Sequence, residues 1–277
     1  MKARSLSLAR VGVYLFLIGF TFFALFPVVW TLSTSLKPEL QATAYPPELI
    51  PRQITLDSYI HVVRKTEVLN YIWNTFAVSG GALALVLASS ALAGYAFSRF
   101  RFPGRRVIML GLLICVMVSG ATKLIPLYLM LLQVGLLNSH LGLILVYSAE
   151  LIPISVWLIK AYVDTLPEDL DEAALIDGAG RLRVFSAIIL PLSLPAIIAV
   201  GLQAFIRSAQ EFIYASTFIS EPSLKTAPVG LYVFFTEVGV QWTYLAAASI
   251  LIVTPVILVF LALQRWFMSG MTAGAIK

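Results

Sequence analysis

Reactive side chains are scarce in this sequence, which contains one cysteine and two histidines. Because Cys115 has no second cysteine, an intrachain disulfide is excluded, and no cysteine or histidine spacing is typical of a zinc site. His61 and His140 stand alone at the edges of predicted loops or spans. We therefore predict no metal site and no catalytic residue in this chain.

Charge is also scarce, since 12% of the residues are charged and 60% are hydrophobic. A helix that crosses a bilayer needs about 20 mostly apolar residues. Six runs qualify: Val11 to Leu32, Val68 to Ser98, Val107 to about Leu132, about Leu141 to Ile159, Val184 or Ile188 to about Tyr214, and about Trp242 to Leu263. We predict an all-α polytopic membrane bundle of six transmembrane helices, with residues 1–277 forming one transmembrane domain. The first run has no small-residue cleavage pattern after it, so we expect it to be a span and not a secretory signal.

The basic residues are distributed unevenly along the chain. Most precede the first run, follow the second, flank the segment of about residues 160–187, or follow the sixth. By the positive-inside rule both termini and this segment are cytoplasmic. Topology thus accounts for the net charge of +5, and we predict no nucleic-acid partner. The basic turn from Ser98 to Arg106 is expected to contact anionic lipid headgroups.

A polar island lies between the fourth and fifth runs, at Glu172 to Gly178. We predict a short helix with Thr165 as its N-cap and Glu168 reaching back three residues later. Gly178 can adopt a left-handed conformation, so the helix should end near Asp177. One face is apolar and small, which favours docking of another protein surface. The alternative is an amphipathic helix at the membrane interface.

Several charged residues fall within or near the apolar runs, where an unpaired charge costs about 2.5–3.5 kcal/mol. Arg207 and Glu211 are four residues apart and can pair on one helix face. One interpretation is that these two residues, with Gln203 and Gln210, line a pathway for a polar solute. The other is that Arg207 and Glu211 form a structural ion pair. The same choice applies to Lys123 and Glu150, for which reaching an interface is the simpler interpretation. In the second span, small residues such as Gly80, Gly81 and Gly94 are expected to allow close helix packing.

The island resembles a known signature. Glu172-Ala173-Ala174, Asp177-Gly178-Ala179 and Ile188-Ile189-Leu190-Pro191 have the spacing found in permease subunits of ATP-binding cassette (ABC) importers. Further stretches are similar, among them Tyr95 to Gly104 and Gln264 to Lys277. Together they look like the second permease subunit of maltose-type carbohydrate importers, which have the type I ABC importer permease fold.

This resemblance implies a set of partners and contact residues. The partners are a homologous second permease, two ABC ATPase subunits that bind ATP and magnesium, and an extracytoplasmic substrate-binding protein. The location implied is the inner membrane of a prokaryote, and no cofactor is expected in this chain. The residues implied for ATPase coupling are Glu172, Ala173, Ala174, Asp177 and Gly178, and those implied for an ATPase-facing tail are Thr272, Ala273, Gly274 and Lys277. The loop of about residues 225–241 is implied to contact the binding protein.

The sequence departs from the family in the fifth span. Members usually have Trp-Asn-Glu-Phe where this chain has Ala209-Gln210-Glu211-Phe212, and Arg207 and Lys123 stand where neutral residues are expected. The leading hypothesis is an importer permease that moves a di- or oligosaccharide, or a glycosylated osmolyte, by alternating access. Import of glycerol 3-phosphate or a related polar solute stays open. A rival of another class is an ion-coupled secondary transporter, although no internal repeat is found. No Walker motif or soluble output domain is present, so neither ATP hydrolysis by this chain nor a sensor role is expected.

Overall fold

The protein is almost entirely helical. The computed structural model describes residues 8–236 and 239–273. In chain order the helices are α1 (Leu8–Ser35), α2 (Glu39–Ala42), α3 (Asp57–Lys65), α4 (Val68–Arg99), α5 (Arg105–Met117), α6 (Gly120–Gln133), α7 (His140–Val163), α8 (Asp169–Ile176), α9 (Arg181–Val184), α10 (Leu190–Leu192), α11 (Leu194–Ala209), α12 (Ile213–Phe218), α13 (Ala227–Gly230) and α14 (Trp242–Ala273). A π-helical turn occupies Phe185–Ile189, and 3₁₀ turns occupy Pro222–Leu224 and Leu231–Phe234. Strands β1 (Phe235–Thr236) and β2 (Gly239–Val240) pair antiparallel, a small departure from the predicted all-α fold.

Within the described ranges, four helices are long and apolar enough to cross a bilayer, namely α1, α4, α7 and α14. Two further spans are bent pairs. Helices α5 and α6 meet at 102°, and the stretch Arg181–Leu192 meets α11 at 75°. The predicted six spans are present when each bent pair counts as one span.

The bend between α5 and α6 was not predicted from the sequence. Val118 is extended, Ser119 caps the next helix, and Gly120 opens it. The Tyr214 hydroxyl lies 3.2 Å from the Gly120 carbonyl oxygen, and a Cβ at Gly120 would lie 3.0 Å from that hydroxyl. Pairs of glycine and serine are common sites of helix kinks. The prediction of one unbroken helix from Val107 to Leu132 is therefore wrong.

The fifth span bends at Ser193, between Pro191 and Pro195, and proline is a common cause of helix kinks. It also ends earlier than predicted, because α11 stops at Ala209 and a new helix starts at Ile213. The sixth span passes through Pro255 as one continuous helix.

The chain divides into two compact units, residues 1–68 with 231–254 and residues 69–230 with 255–277. In the first unit, the Glu39 carboxylate accepts hydrogen bonds from the backbone N–H groups of Trp242 and Thr243, and so caps the start of α14. His61 stacks on Tyr244, with 4.2 Å between the ring centroids.

In the second unit, α4 packs closely against α7. A Cβ at Gly94 would lie 2.8 Å from Cγ2 of Ile159, and a Cβ at Gly81 would lie 2.7 Å from Cδ1 of Ile144. The predicted role of small residues in close packing is confirmed at these two positions. Gly80 has nothing within 4 Å of the equivalent point, so it is not part of this contact.

Candidate functional site

The polar island forms the short helix α8, which has three acidic residues in its first turn. Its end agrees with the prediction: Gly178 has φ of 85°, and its N–H donates to the Leu175 carbonyl oxygen at 3.1 Å. Its start differs from the prediction. Thr165 is not the N-cap, because its hydroxyl donates to the Tyr162 carbonyl oxygen at 2.7 Å and helps to close the end of α7.

The two faces of α8 differ in burial. Ala174 is 8% exposed and packs with buried Tyr95 and Val163. Of the predicted coupling residues, it alone lies on the inner face, while Glu172, Ala173, Asp177 and Gly178 are exposed. Ile176 is 86% exposed, next to these residues. Sequence analysis missed it, although it stands three residues after Ala173 and so shares its side of the helix.

A buried ion pair fixes the inner face of α8 to the C-terminal end of α4. Asp171 accepts hydrogen bonds from Arg99 Nε at 2.9 Å and from the Tyr95 hydroxyl at 3.0 Å. The Arg99 and Asp171 side chains are 5% and 6% exposed. Arg99 also donates to the Leu166 carbonyl oxygen at 2.9 Å, at the turn before α8. We call Tyr95, Arg99 and Asp171 the α4–α8 clamp.

The clamp was also missed by sequence analysis. Tyr95 and Arg99 are four residues apart on a helix, which is the spacing that places two side chains on one face. That spacing does not identify the acid 72 positions further along. The clamp therefore joins α8 to α4 through polar contacts that are shielded from water.

A second polar contact joins the ends of α4 and α7. Asp164 accepts from Ser98 Oγ at 2.6 Å and from Lys160 Nζ at 2.5 Å. Burial alone would raise the pKa of the Asp164 carboxyl. The hydrogen bonds from Lys160 and Ser98 outweigh burial, and the pKa lies below its ordinary value. The nearby charge of Arg105 acts in the same direction.

Lys123 and Glu150 pair with each other inside the bundle. Lys123 Nζ lies 2.5 Å from Glu150 Oε1, and both side chains are about one quarter exposed, at 26% and 27%. The Tyr214 hydroxyl donates to the same carboxylate at 2.7 Å. Each of these two charges is therefore neutralised by the other, and the expectation that they reach an interface stays a prediction.

Glu211 caps the start of α12. Its carboxylate accepts from the backbone N–H of Tyr214 at 2.8 Å and of Ala215 at 3.1 Å, and from the Tyr147 hydroxyl at 2.8 Å. The predicted pairing with Arg207 on one helix face is wrong, because α11 ends before Glu211 is reached. No ion pair joins the two side chains in the described part of the chain.

The other pathway candidates form a stripe on α11, at Gln203, Arg207 and Gln210. All three are exposed and line an open groove of about 1040 Å³. Gln203 and Arg207 also border a cavity of about 510 Å³ whose wall includes Glu150 and Glu211. Among the described residues, none accepts a hydrogen bond from the Arg207 guanidinium or forms an ion pair with it. The structure thus brings all four predicted pathway residues to connected spaces in one unit.

Residues 80–273 match the protein family described as the inner membrane component of binding-protein-dependent transport systems. This chain belongs to that family. Membership favours the importer permease over the ion-coupled secondary transporter, and it identifies the chain as a multi-pass component of the inner membrane.

Relatives within the family cover nearly all of this permease. The galactooligosaccharides transport system permease protein GanQ of Bacillus subtilis is 38% identical over 270 residues, covering 95% of this chain and 94% of GanQ. The sulfoquinovosyl glycerol transport system permease protein SmoH of Agrobacterium fabrum is 34% identical over 254 residues, covering 91% and 89%. A solved bacterial ABC transporter involved in the import of the acidic polysaccharide alginate has a chain with the same fold, with a TM-score of 0.84 at 21% identity over 96% of this permease and 99% of that chain.

The predicted ATPase-facing tail of this permease is described only in part. Thr272 and Ala273 are the last residues of α14. Gly274 and Lys277 lie outside the described residues, so their predicted role stays a prediction.

Proposed function

We propose that this permease is the translocation subunit of an ATP-driven importer that moves a carbohydrate by alternating access. The observation that carries the proposal is the construction of α8, which exposes Glu172, Ala173 and Ile176 on one side and is fixed to α4 by the clamp on the other. A surface that binds a moving partner must pass that motion to the spans. A buried, hydrogen-bonded ion pair keeps α8 and α4 moving together, because separating its two charges leaves each buried and unpaired, which costs about 3–5 kcal/mol.

The proposed partners are those that membership of this family implies. Two ABC ATPase subunits bind ATP and magnesium, and one of them docks on the exposed side of α8, with the tail from Thr272 to Lys277 nearby. A homologous second permease completes the pathway, and a substrate-binding protein docks on the loop of residues 225–241. The uneven distribution of basic residues supports cytoplasmic placement of α8 and of both termini.

The proposed solute pathway follows Gln203, Arg207, Gln210 and Glu211. Amide and guanidinium groups donate hydrogen bonds in fixed directions, which suits a solute rich in hydroxyl oxygens. A galactooligosaccharide is the first solute to test, since GanQ is named for galactooligosaccharides. A second candidate is an anionic solute such as glycerol 3-phosphate. Arg207 favours it, because within the described ranges no acidic side chain pairs with this cation.

The test is reconstitution of the assembled complex, with its binding protein, in proteoliposomes. We expect ATP-dependent uptake of a galactooligosaccharide, with glycerol 3-phosphate as the comparison solute. A complex lacking the ATPase subunits is the matched control. Uptake that needs an ion gradient but no ATP would overturn the proposal.

A further inference from the structure

A cavity of about 560 Å³ lies where the start of α5 meets the end of α7. We call it the basic cleft. Its lining is of two kinds. Cationic side chains come from Arg105, Arg106 and Lys160, and apolar or aromatic side chains come from Phe102, Met109 and Trp157.

The basic cleft has more positive than negative charge. Its lining among the described residues includes no acidic side chain. The carboxylate of Asp164, which pairs with the lining residue Lys160, is already engaged by Lys160 and Ser98. Within the described ranges, the Arg105 side chain donates one hydrogen bond, to the Phe100 carbonyl oxygen at 3.4 Å. Among the described residues, Arg106 has no acidic partner. Two guanidinium charges are therefore left to attract an anion.

The position of these arginines in α5 increases the attraction. They are the first two residues of the helix, whose first turn contains no acidic residue and whose N-cap, Gly104, provides no side-chain hydrogen bond. Cations are unfavourable at this end of a helix, because the helix dipole is positive there. A bound anion would relieve both the mutual repulsion of the arginines and their repulsion by the dipole.

The apolar part of the cleft indicates which anion fits. Val107 and Ile114 are 73% and 62% exposed, so an apolar surface continues from the cleft along α5. Trp157 donates its indole N–H to the Met109 carbonyl oxygen at 3.3 Å, which holds the ring in place at the end of the span. Tryptophan is enriched at the boundary between membrane and water. A free phosphate would use the cations alone, whereas a phospholipid would use the cations and the apolar surface.

We propose that the basic cleft is a binding site for the phosphate of an anionic phospholipid, whose acyl chains lie along α5. Basic pockets between spans on the cytoplasmic side are suited to acidic headgroups. The bound lipid would contact α5 and α7 beside the Ser98–Asp164 contact, and would hold the ends of α4, α5 and α7 together next to α8. The proposal concerns a site distinct from the solute pathway.

The test measures lipid retention by the assembled, purified complex with native mass spectrometry, using phosphatidylglycerol and phosphatidylcholine as probes. We expect wild type to retain phosphatidylglycerol selectively. The double variant Arg105→Gln/Arg106→Gln should retain it roughly 30-fold less, given the usual contribution of two basic residues near an acidic membrane surface. The matched control Arg64→Gln/Lys65→Gln removes two adjacent exposed charges from α3 and should retain it like wild type.

The outcomes separate the alternatives. Equal retention of the two lipids by wild type, or wild-type retention by the Arg105/Arg106 variant, would overturn the site. Displacement of phosphatidylglycerol by equimolar inorganic phosphate would show a free-anion site and overturn the lipid assignment. If the glutamine variant does not assemble, Arg105→Lys/Arg106→Lys takes its place, and lipid retention that does not fall with rising salt would contradict the proposal. The readout does not depend on transport, so failure of the proposed importer function would be seen separately.

Discussion

The α4–α8 clamp gives the sharpest prediction, at Asp171. The change Asp171→Asn keeps the size of the side chain and removes its charge. It leaves the Arg99 guanidinium, which is 5% exposed, without a carboxylate. Breaking a buried ion pair from one side costs about 3–5 kcal/mol. The Leu166 carbonyl oxygen still accepts from Arg99, so the lower value of about 3 kcal/mol is expected, and it shifts attachment of α8 to α4 by about 100-fold.

We expect the importer complex that contains this variant to assemble and its ATPase subunits to hydrolyse ATP, because α8 keeps its exposed face. The number of solute molecules imported per ATP should fall, because motion of α8 reaches α4 less reliably. The assay measures uptake and ATP hydrolysis together in proteoliposomes. Asp169→Asn is the matched control, since it removes a carboxylate from the same helical turn without touching the clamp. Uptake per ATP equal to wild type in Asp171→Asn would refute the reasoning.

Three further predictions concern other contacts. Glu172→Lys and Gly178→Val should each leave membrane insertion unchanged and abolish the stimulation of ATP hydrolysis by the binding protein. Gly178 has a φ of 85°, so the change to valine costs about 1–2 kcal/mol through backbone strain. Stimulation equal to wild type in both variants would contradict coupling through α8. Arg207→Ala should lower uptake with normal complex yield. Glu211→Ala should lower the yield of complex through loss of a helix cap worth about 1 kcal/mol. The double variant Arg207→Ala/Glu211→Ala should give the same low yield, and a yield restored to that of wild type would indicate that the two residues form an ion pair after all. The pKa of Asp164 is lowered in the folded state, so its contribution to stability is present above the unfolded-state pKa of about 3.9 and is lost as pH falls through the folded value. The difference in melting temperature between wild type and Asp164→Asn should therefore be constant near pH 7 and shrink below about pH 4. A difference in melting temperature that does not depend on pH would count against this role of Asp164.

Features set by local sequence were predictable, and those set by distant contacts were not. Gly178 ends α8 because few other residues adopt a left-handed conformation without strain. The prolines of the fifth span likewise bend it locally. The Tyr214 hydroxyl that contacts Gly120 at the bend is distant in the sequence, and the one proline of this apolar run, Pro126, lies inside α6 away from the bend. The sequence places Asp171 in an acidic helix start and gives no sign of its partner Arg99, which belongs to another span.

The four pathway candidates line two adjacent spaces, but the predicted pairing of Arg207 with Glu211 is wrong. Four-residue spacing predicts a shared helix face only where the helix continues, and α11 ends at Ala209. Glu211 therefore takes the role that acidic residues commonly have at a helix start, accepting the free backbone N–H groups. Burial of Ala174 could not be separated from exposure of Ala173 by sequence, because both are small and adjacent.

In the second unit, the side chains that hold helices together differ from those that line the proposed pathway, and this separation has an evolutionary consequence. Glu150 and Glu211 are held by donors that also fix helix ends, so changing either one is selected against through loss of folded protein. The side chains of Gln203, Arg207 and Gln210 make no hydrogen bond or ion pair to other described residues. Mutations in this stripe can therefore accumulate with little loss of stability. A lineage of such permeases can explore new solutes gradually, while the machinery that responds to ATP stays unchanged.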